Sequence, residues 1–401
     1  MTEEMLKVEE LRLNFYTYEG VVQALDGVDL VLKKGETLGV VGETGCGKSV
    51  TGLSVLVLVP PPGKIEGGKI MFTEEGKKQV NMLAENESQL RRIRGKEISM
   101  VFQDPRSALN PVYTAGDQII EVLVHHRKRT LTKKAVEIID KEIQADKERK
   151  KGRMKPQERT EKRAVKPVFM RNLYRHLLIL WVKHPKSLSL KILAKFPLVK
   201  GYTNIVKEEA KKEAINMLRI MRIPDPERVV DMYPHELSGG MAQRVVIAMG
   251  LACNPGVLIA DEPTTNLDVT VQLQILNLIK ELKREFDSSI IYVTHDMGVV
   301  AEMADRVAVM YAGNVVEYAD VLSTFKRPLH PYTQGLLGSI PRPGVPFKSI
   351  EGTVPSLINP PAGCRFHDRC QYAMDVCRKV KPKLTEVESE HFTQCHLYKQ
   401  S

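Results

Sequence analysis

The run Gly42-Glu43-Thr44-Gly45-Cys46-Gly47-Lys48-Ser49 follows directly on an apolar stretch, Thr37-Leu38-Gly39-Val40-Val41, and precedes a helix-compatible segment at 50–58. Glycines spaced in this way let the backbone bend round an anion, so that successive N–H groups and the start of the next helix face phosphate oxygens. The spacing predicts a strand, a phosphate loop and a helix start, with Lys48 reaching the β and γ phosphate oxygens and Ser49 ligating Mg²⁺. A glycine-rich turn that only packs a helix on a sheet would not need the Lys48-Ser49 pair.

Three further strand-like runs each end in a polar side chain. Ile98-Ser99-Met100-Val101-Phe102 delivers Gln103, Val257-Leu258-Ile259-Ala260 carries Asp261 and Glu262, and 289–294 places His295. In an open parallel sheet the ligand lies at the carboxyl ends of the strands. Asp261 is expected to hold the magnesium shell and Glu262 to polarise water for in-line attack. Gln103 is expected to contact metal and water, and His295 the γ-phosphate. Upstream, 6–32 reads as strands with Tyr16 and Tyr18 between them, residues that either stack on adenine or pack an edge hairpin.

A second helix terminus suited to anions follows at Leu237-Ser238-Gly239-Gly240, ahead of a helix at 241–252. One triphosphate needs one cradle, so this terminus is free to serve a partner. Beyond Asp261-Glu262, the segment Thr264-Thr265-Asn266-Leu267-Asp268 turns into a helix with Val271, Ile275, Leu278 and Leu282 on one face.

Charge is unevenly spread. Net charge is +10, yet 125–210 holds 24 Lys+Arg against 9 Asp+Glu, leaving the remainder at −5. A nucleic-acid enzyme concentrates basicity round its groove, so no nucleic-acid partner is expected. Within the basic segment, 132–151 shows Ala135, Ile138, Ile139 and Ile143 on one helical face. A linker with Pro156 and Pro167 follows, and then a basic amphipathic stretch at 170–197 carrying Trp181, the only Trp. It reads as a solvated helical insertion, or as a surface facing anionic lipid or acidic loops of a membrane partner. The helix expected next carries Val206, Ala210, Ala214, Met217, Leu218 and Met221 on one face and stops before Pro224 and Pro226. The acidic start of the chain does not read as a signal peptide, and the apolar run 177–182 falls far short of the roughly 20 residues that cross a bilayer, so a cytoplasmic protein is expected.

Taken in order, 42–49, Gln103, Leu237-Ser238-Gly239-Gly240, Asp261-Glu262, Asp268 and His295 resemble an ATP-binding cassette ATPase over 1–124 and 205–320. The motifs His330-Pro331-Tyr332-Thr333-Gln334-Gly335-Leu336-Leu337, Pro355-Ser356-Leu357, Pro360-Pro361 and Gly363-Cys364-Arg365-Phe366 are similar to those of ATP-binding subunits of oligopeptide or dipeptide importers. The resemblance implies an α/β P-loop cassette at 1–325, whose helical subdomain carries the basic insertion at about 125–210, and a cysteine-rich extension at 326–401. It also implies a second cassette as partner, two membrane-spanning permease subunits, an extracytoplasmic binding protein, and a place on the cytoplasmic face of the membrane. Ser238, Gly239 and Gly240 would then close the nucleotide site of the partner cassette, and Asp268 would also contact nucleotide. Import of oligosaccharides, or a soluble cassette ATPase of nucleic-acid or translation processes, is the alternative. Two departures stand out: the insertion is longer than the family's helical subdomain, and Cys46 stands where these importers usually have Ser. At a helix N-terminus that thiol is expected either to be a tolerated small side chain or to have a lowered pKa and react with alkylating agents.

Cys364, Cys370, Cys377 and Cys395 are separated by 6, 7 and 18 residues. Four thiolates can hold zinc or an iron–sulfur cluster, and the paired knuckles that favour zinc are missing. Resemblance to the importer subunits implies a [4Fe-4S] cluster. Zn²⁺, with His367 or His396 substituting for a thiolate, is the alternative.

Overall fold

Four short apolar runs, β3 (Thr37–Val41), β7 (Val257–Asp261), β8 (Ser289–Thr294) and β9 (Arg306–Tyr311), are buried at every position. Uninterrupted burial rather than alternation is the mark of parallel strands covered on both faces. The computed structural model describes residues 3–74, 79–150, 168–183, 197–265, 267–340 and 350–398. The linker containing Pro156 and Pro167, much of the expected stretch at 170–197, and Asn266 lie outside the described residues.

The chain forms two compact units, one from 1–108 with 254–401 and one from 109–253. In the first, β1 (Glu4–Thr17) and β2 (Gly20–Lys33) form a long antiparallel hairpin. With β4 (Gly63–Phe72) and β5 (Val80–Asn81) it makes a sheet of order β2-β1-β4-β5. The main sheet has the order β11-β12-β10-β9-β3-β8-β7-β6, with β6 at Ile98–Val101, β10 at Asn314–Asp320, β11 at Thr385–Glu388 and β12 at His391–Thr393. From β9 to β6 every pairing is parallel, and β10, β12 and β11 add antiparallel strands at the other end. The β12 edge brings the C-terminal region into the same sheet: Glu317 and Tyr318 pair with Thr393 and Phe392. A second apolar cluster, with Tyr311, Tyr332 and Phe366 buried together, lies in this part of the unit.

The second unit is helical in its described residues. Its helices Ala115–Lys150, Val168–Lys183, Pro197–Ile220 and Gly239–Leu251 pack on one another. The expected apolar faces go inward: Ala135, Ile139 and Ile143 on the first, and Val206, Ala210, Ala214, Met217 and Leu218 on the third, are buried. Val168–Lys183, from the basic insertion, buries Tyr174, Leu177 and Leu178 in the same way. Arg175 pairs with Asp140, and Lys128 lies 3.6 Å over the Trp181 ring. The apolar face of this helix is therefore packed inside its own unit.

One buried polar cluster ties the C-terminal region to β10. Glu317, fully buried, accepts the N–H groups of Leu329 and His330 at 2.8 Å and His391 Nε2 at 2.8 Å. His330 caps the helix Pro331–Gly338 through Nδ1, which accepts the Tyr332 N–H at 3.1 Å. Burial pushes the His330 imidazole down to about 4 from its ordinary 6.5. The unfolded chain thus binds this proton near pH 6.5 and the folded one does not, so the contribution is complete above pH 6.5 and is lost as pH falls toward 4. Urea unfolding followed from pH 7 to pH 4 should show a loss of up to roughly 3 kcal/mol from this source. His330→Asn, which keeps a capping acceptor without the titration, should flatten that part of the profile.

Candidate functional site

The carboxyl ends of β3, β8, β7 and β6 stand side by side, with Val41 opposite Thr294, Val293 opposite Asp261, and Ala260 opposite Val101. The residues at the tips of these strands therefore form a row: the loop 42–49, then His295, then Asp261 and Glu262, then Gln103. The loop closes at Gly47, which takes φ +102° as N-cap of the helix Lys48–Val55; a Cβ there would sit 2.7 Å from Leu25 Cδ2. Lys48 is buried and its Nζ donates to the carbonyls of Gly42 at 2.7 Å and Glu43 at 3.0 Å, which centres its charge in the loop. Ser49 Oγ donates to Asp261 Oδ1 at 3.0 Å, so the hydroxyl and carboxylate foreseen as metal ligands are in contact. Burial raises the Asp261 carboxyl and the Ser49 hydrogen bond opposes it.

Glu262 leaves β7 in the left-handed region, at φ +45°, with its N–H donating to Val293 O at 2.9 Å. A non-glycine residue in that region is strained and is held by its surroundings. Its Oε2 receives Gln103 Nε2 at 2.9 Å and Thr265 Oγ1 at 3.0 Å, and His295 Nδ1 lies 3.2 Å from it. The three residues expected to act at the γ-phosphate thus converge on one carboxylate oxygen. Thr265 joins them without any signal that sequence could have ranked above its neighbours.

The remaining candidates are dispersed. Asp268 caps the helix Val269–Glu285, accepting the Val271 N–H at 3.0 Å, and Ser238 caps Gly239–Leu251, accepting the Met241 N–H at 3.3 Å, with Gly239 and Gly240 in its first turn. Tyr16 donates to Glu66 Oε1 at 2.8 Å and is half exposed, while Tyr18 is 98% exposed in the hairpin turn.

This row of groups, a phosphate loop, a Ser–Asp pair and a carboxylate flanked by Gln and His, suits binding and hydrolysis of a nucleoside triphosphate. A family profile described as "ABC transporter" matches residues 25–265. The chain belongs to that family. A second profile, the C-terminal region of oligopeptide/dipeptide transporters, matches 316–377 and marks the branch. Over nearly its whole length the chain is similar to two proteins of Bacillus subtilis. It is 41% identical to the dipeptide transport ATP-binding protein DppD, covering 99% of this chain and 96% of that one. It is also 41% identical to the oligopeptide transport ATP-binding protein OppD, covering 98% and 88%. Among solved structures, the dimeric ATP-binding cassette MJ0796 aligns with a TM-score of 0.52 at 22% identity, over 79% of this chain and 99% of that one. CbiO1 of Clostridium perfringens aligns with a TM-score of 0.50 at 24% identity, over 81% and 92%. These two likenesses concern the fold alone. The protein is an ABC ATPase of the transporter class, using ATP and Mg²⁺. Membership implies a dimer of cassettes, permease partners and a peripheral place at a membrane, and no described helix is long and apolar enough to cross one.

Residues that motif reading passed over surround the loop of this ATPase. The Glu43 N–H donates to Tyr332 Oη at 2.9 Å, and Arg369 Nη1 lies 3.1 and 3.0 Å from the two Glu43 carboxylate oxygens. Tyr332 lies within the importer-like motif at 330–337, whereas Arg369 had no signal beyond its place among the cysteines.

None of the six cysteines is joined in a disulfide. Met374 N lies 3.5 Å from Cys377 Sγ, within hydrogen-bond reach of the sulfur. Burial, and next to it mutual repulsion with the other thiols, pushes Cys364 up to about 12; Cys395 rises to about 11 for the same reasons. Among the described residues no three His, Cys, Asp or Glu side chains form a group that could hold a metal ion. His367 uses both ring nitrogens, on Cys364 O at 2.8 Å and Asp368 Oδ1 at 2.9 Å, and His396 Nε2 meets Val380 O at 2.8 Å. With both ring nitrogens of His367 engaged, that imidazole is disfavoured as a substitute ligand.

Cys46 corrects the expectation of a reactive thiol. It is 1% exposed, and burial raises its pKa against the lowering effect of Lys48. Maleimide labelling read by peptide mass mapping should leave Cys46 unmodified in the native protein, with or without ATP, and modify it once the chain is unfolded. Rapid native labelling would contradict the packing of the loop.

Proposed function

We propose that this protein is the ATP-hydrolysing subunit that powers import of oligopeptides or dipeptides through a membrane ABC transporter. The observation that carries the substrate class is the likeness to DppD and OppD along nearly the full chain, joined to the oligopeptide/dipeptide C-terminal profile at 316–377. On this reading the cassette proper is 1–325, and 326–401 is a C-terminal extension. The partners are a second cassette, two permeases and an extracytoplasmic binding protein, with the ATPase on the cytoplasmic face.

The residue roles rest on the row at the strand ends. Lys48 and the amides of 42–49 hold the phosphates, and Ser49, Gln103 and Asp261 hold Mg²⁺, which neutralises charge on the phosphate oxygens. Glu262 takes the proton of the attacking water, while His295 and Gln103 orient water and γ-phosphate; their shared contact at Glu262 Oε2 supports this assignment. Ser238, Gly239 and Gly240 close the nucleotide site of the partner cassette, Asp268 also contacts nucleotide, and Tyr16 or Tyr18 stacks on adenine. Nucleotide binds the closed pair more tightly than the open one, and that difference sets the size of the conformational switch.

The four C-terminal cysteines hold a [4Fe-4S] cluster of structural purpose. The four soft donors Cys364, Cys370, Cys377 and Cys395 and the likeness to importer subunits support this cluster, and Cys377 Sγ lies 3.5 Å from the Met374 amide; in the structure the four sulfurs are not gathered into one ligand group.

Two measurements test these assignments. Glu262→Gln should bind ATP like the parent while steady-state hydrolysis falls by about 10²- to 10⁴-fold, the range for a lost general base. Unimpaired turnover would remove Glu262 from that role. Protein purified without oxygen should contain iron and acid-labile sulfide in equal amounts and absorb broadly in the visible, both lost in Cys395→Ser. A colourless protein carrying equimolar zinc would replace the cluster with the zinc alternative.

A further inference from the structure

Glu43 is the one acidic residue in the phosphate loop, between Gly42 and Ser49. A carboxylate in a loop that gathers phosphate oxygens opposes the binding it serves, unless another charge answers it. Arg369 supplies that charge, its Nη1 lying 3.1 and 3.0 Å from the two Glu43 oxygens with only 6% of the Arg side chain exposed. Its guanidinium is also fixed by hydrogen bonds to Glu351 O at 3.0 Å, Ile350 O at 3.3 Å and Tyr311 Oη at 3.4 Å. The loop backbone reaches the same place, because the Glu43 N–H donates to Tyr332 Oη at 2.9 Å. Tyr332 packs against Tyr311 and Phe366, with ring centroids 4.6 and 5.4 Å away. Phe366 and Arg369 both lie between Cys364 and Cys370, so one short segment of the C-terminal region braces Glu43 at its carboxylate and, through Tyr332, at its amide.

We propose that Arg369 is a positioning residue of the nucleotide site: by neutralising Glu43 it makes ATP affinity depend on the seating of the C-terminal segment 364–370. This rests on the reading of 42–49 as the nucleotide loop and does not depend on what the cysteines bind. A pair of this kind, with one member almost fully buried, costs several-fold in affinity when one partner is removed, much of it from the charge left unanswered. Removing the second partner as well then returns most of the loss.

The test is a double-mutant cycle on the full chain, by equilibrium titration with ATP and Mg²⁺. R369A should raise the ATP Kd about tenfold, R369K should raise it less, and E43Q added to R369A should return it to within about threefold of the parent. In steady state the ATP KM should follow the Kd while kcat stays within about twofold, which a general loss of structure would not produce. R369Q, which removes the charge but keeps a polar side chain, reads the same effect if R369A fails to fold. Parental Kd in the Arg369 variants that lose the charge, or a double variant no tighter than R369A, would overturn the proposal. Lys48→Ala separates the two levels: affinity lost there but parental in R369A overturns the role of Arg369 alone, whereas parental affinity in Lys48→Ala overturns the loop assignment beneath it.

Discussion

Everything at the site depends on four parallel strands ending level with one another. Because β3, β8, β7 and β6 are neighbours in that order and in register, the loop after β3 meets Asp261 one strand beyond β8, and Glu262 meets both His295 and Gln103. None of these side chains is near another in the chain: the Ser49 to Asp261 hydrogen bond spans 212 positions and that from Gln103 to Glu262 spans 159. A slip of one residue in any of the pairings would turn the terminal side chain to the opposite face of the sheet. The buried, all-apolar strands make that slip costly, so the geometry of the site is secured by the core beneath it.

Strain is placed where this arrangement can hold it. Glu262 adopts a left-handed backbone at the tip of β7, pinned by its own N–H on Val293 O and by three partners on its carboxylate. The turn lets the strand present two successive carboxylates in different surroundings. Asp261, the last strand residue, is buried beside Ser49, and Glu262 faces the polar groups of β6 and β8. Adjacent residues thereby acquire distinct chemistry.

The C-terminal region is part of the same unit as the phosphate loop, and the contacts between them are numerous and polar. β12 extends the main sheet, Glu317 gathers His391 with the amides leading into Pro331–Gly338, and Arg365 donates to the carbonyls of Gln23 and Ala312 while pairing with Asp26. A short segment bounded by Cys364 and Cys370 therefore reaches both the β1–β2 hairpin and Glu43. Within the second unit, the basic insertion uses its apolar residues in helix packing and some of its cations on Asp140, Glu142 and the Trp181 ring. Of those cations Arg171 is buried, whereas Arg175 and Lys128 make their contacts at the surface of the helical unit.

By itself the sequence determined the glycine-rich loop at 42–49, the strands that carry Gln103, Asp261, Glu262 and His295, and the helix that Ser238 caps, because each is written in a local run whose spacing the backbone must obey. It also carried the family, through the set of motifs and their order along the chain. Only the tertiary structure decided that Cys46 is sealed from solvent, that Thr265 joins Glu262, and that Tyr332 and Arg369 take hold of Glu43. Those outcomes depend on pairings between segments up to 326 positions apart. A solvent-exposed and a buried thiol, or a free and a paired arginine, look alike in one dimension, because burial and charge pairing are properties of what the fold brings near.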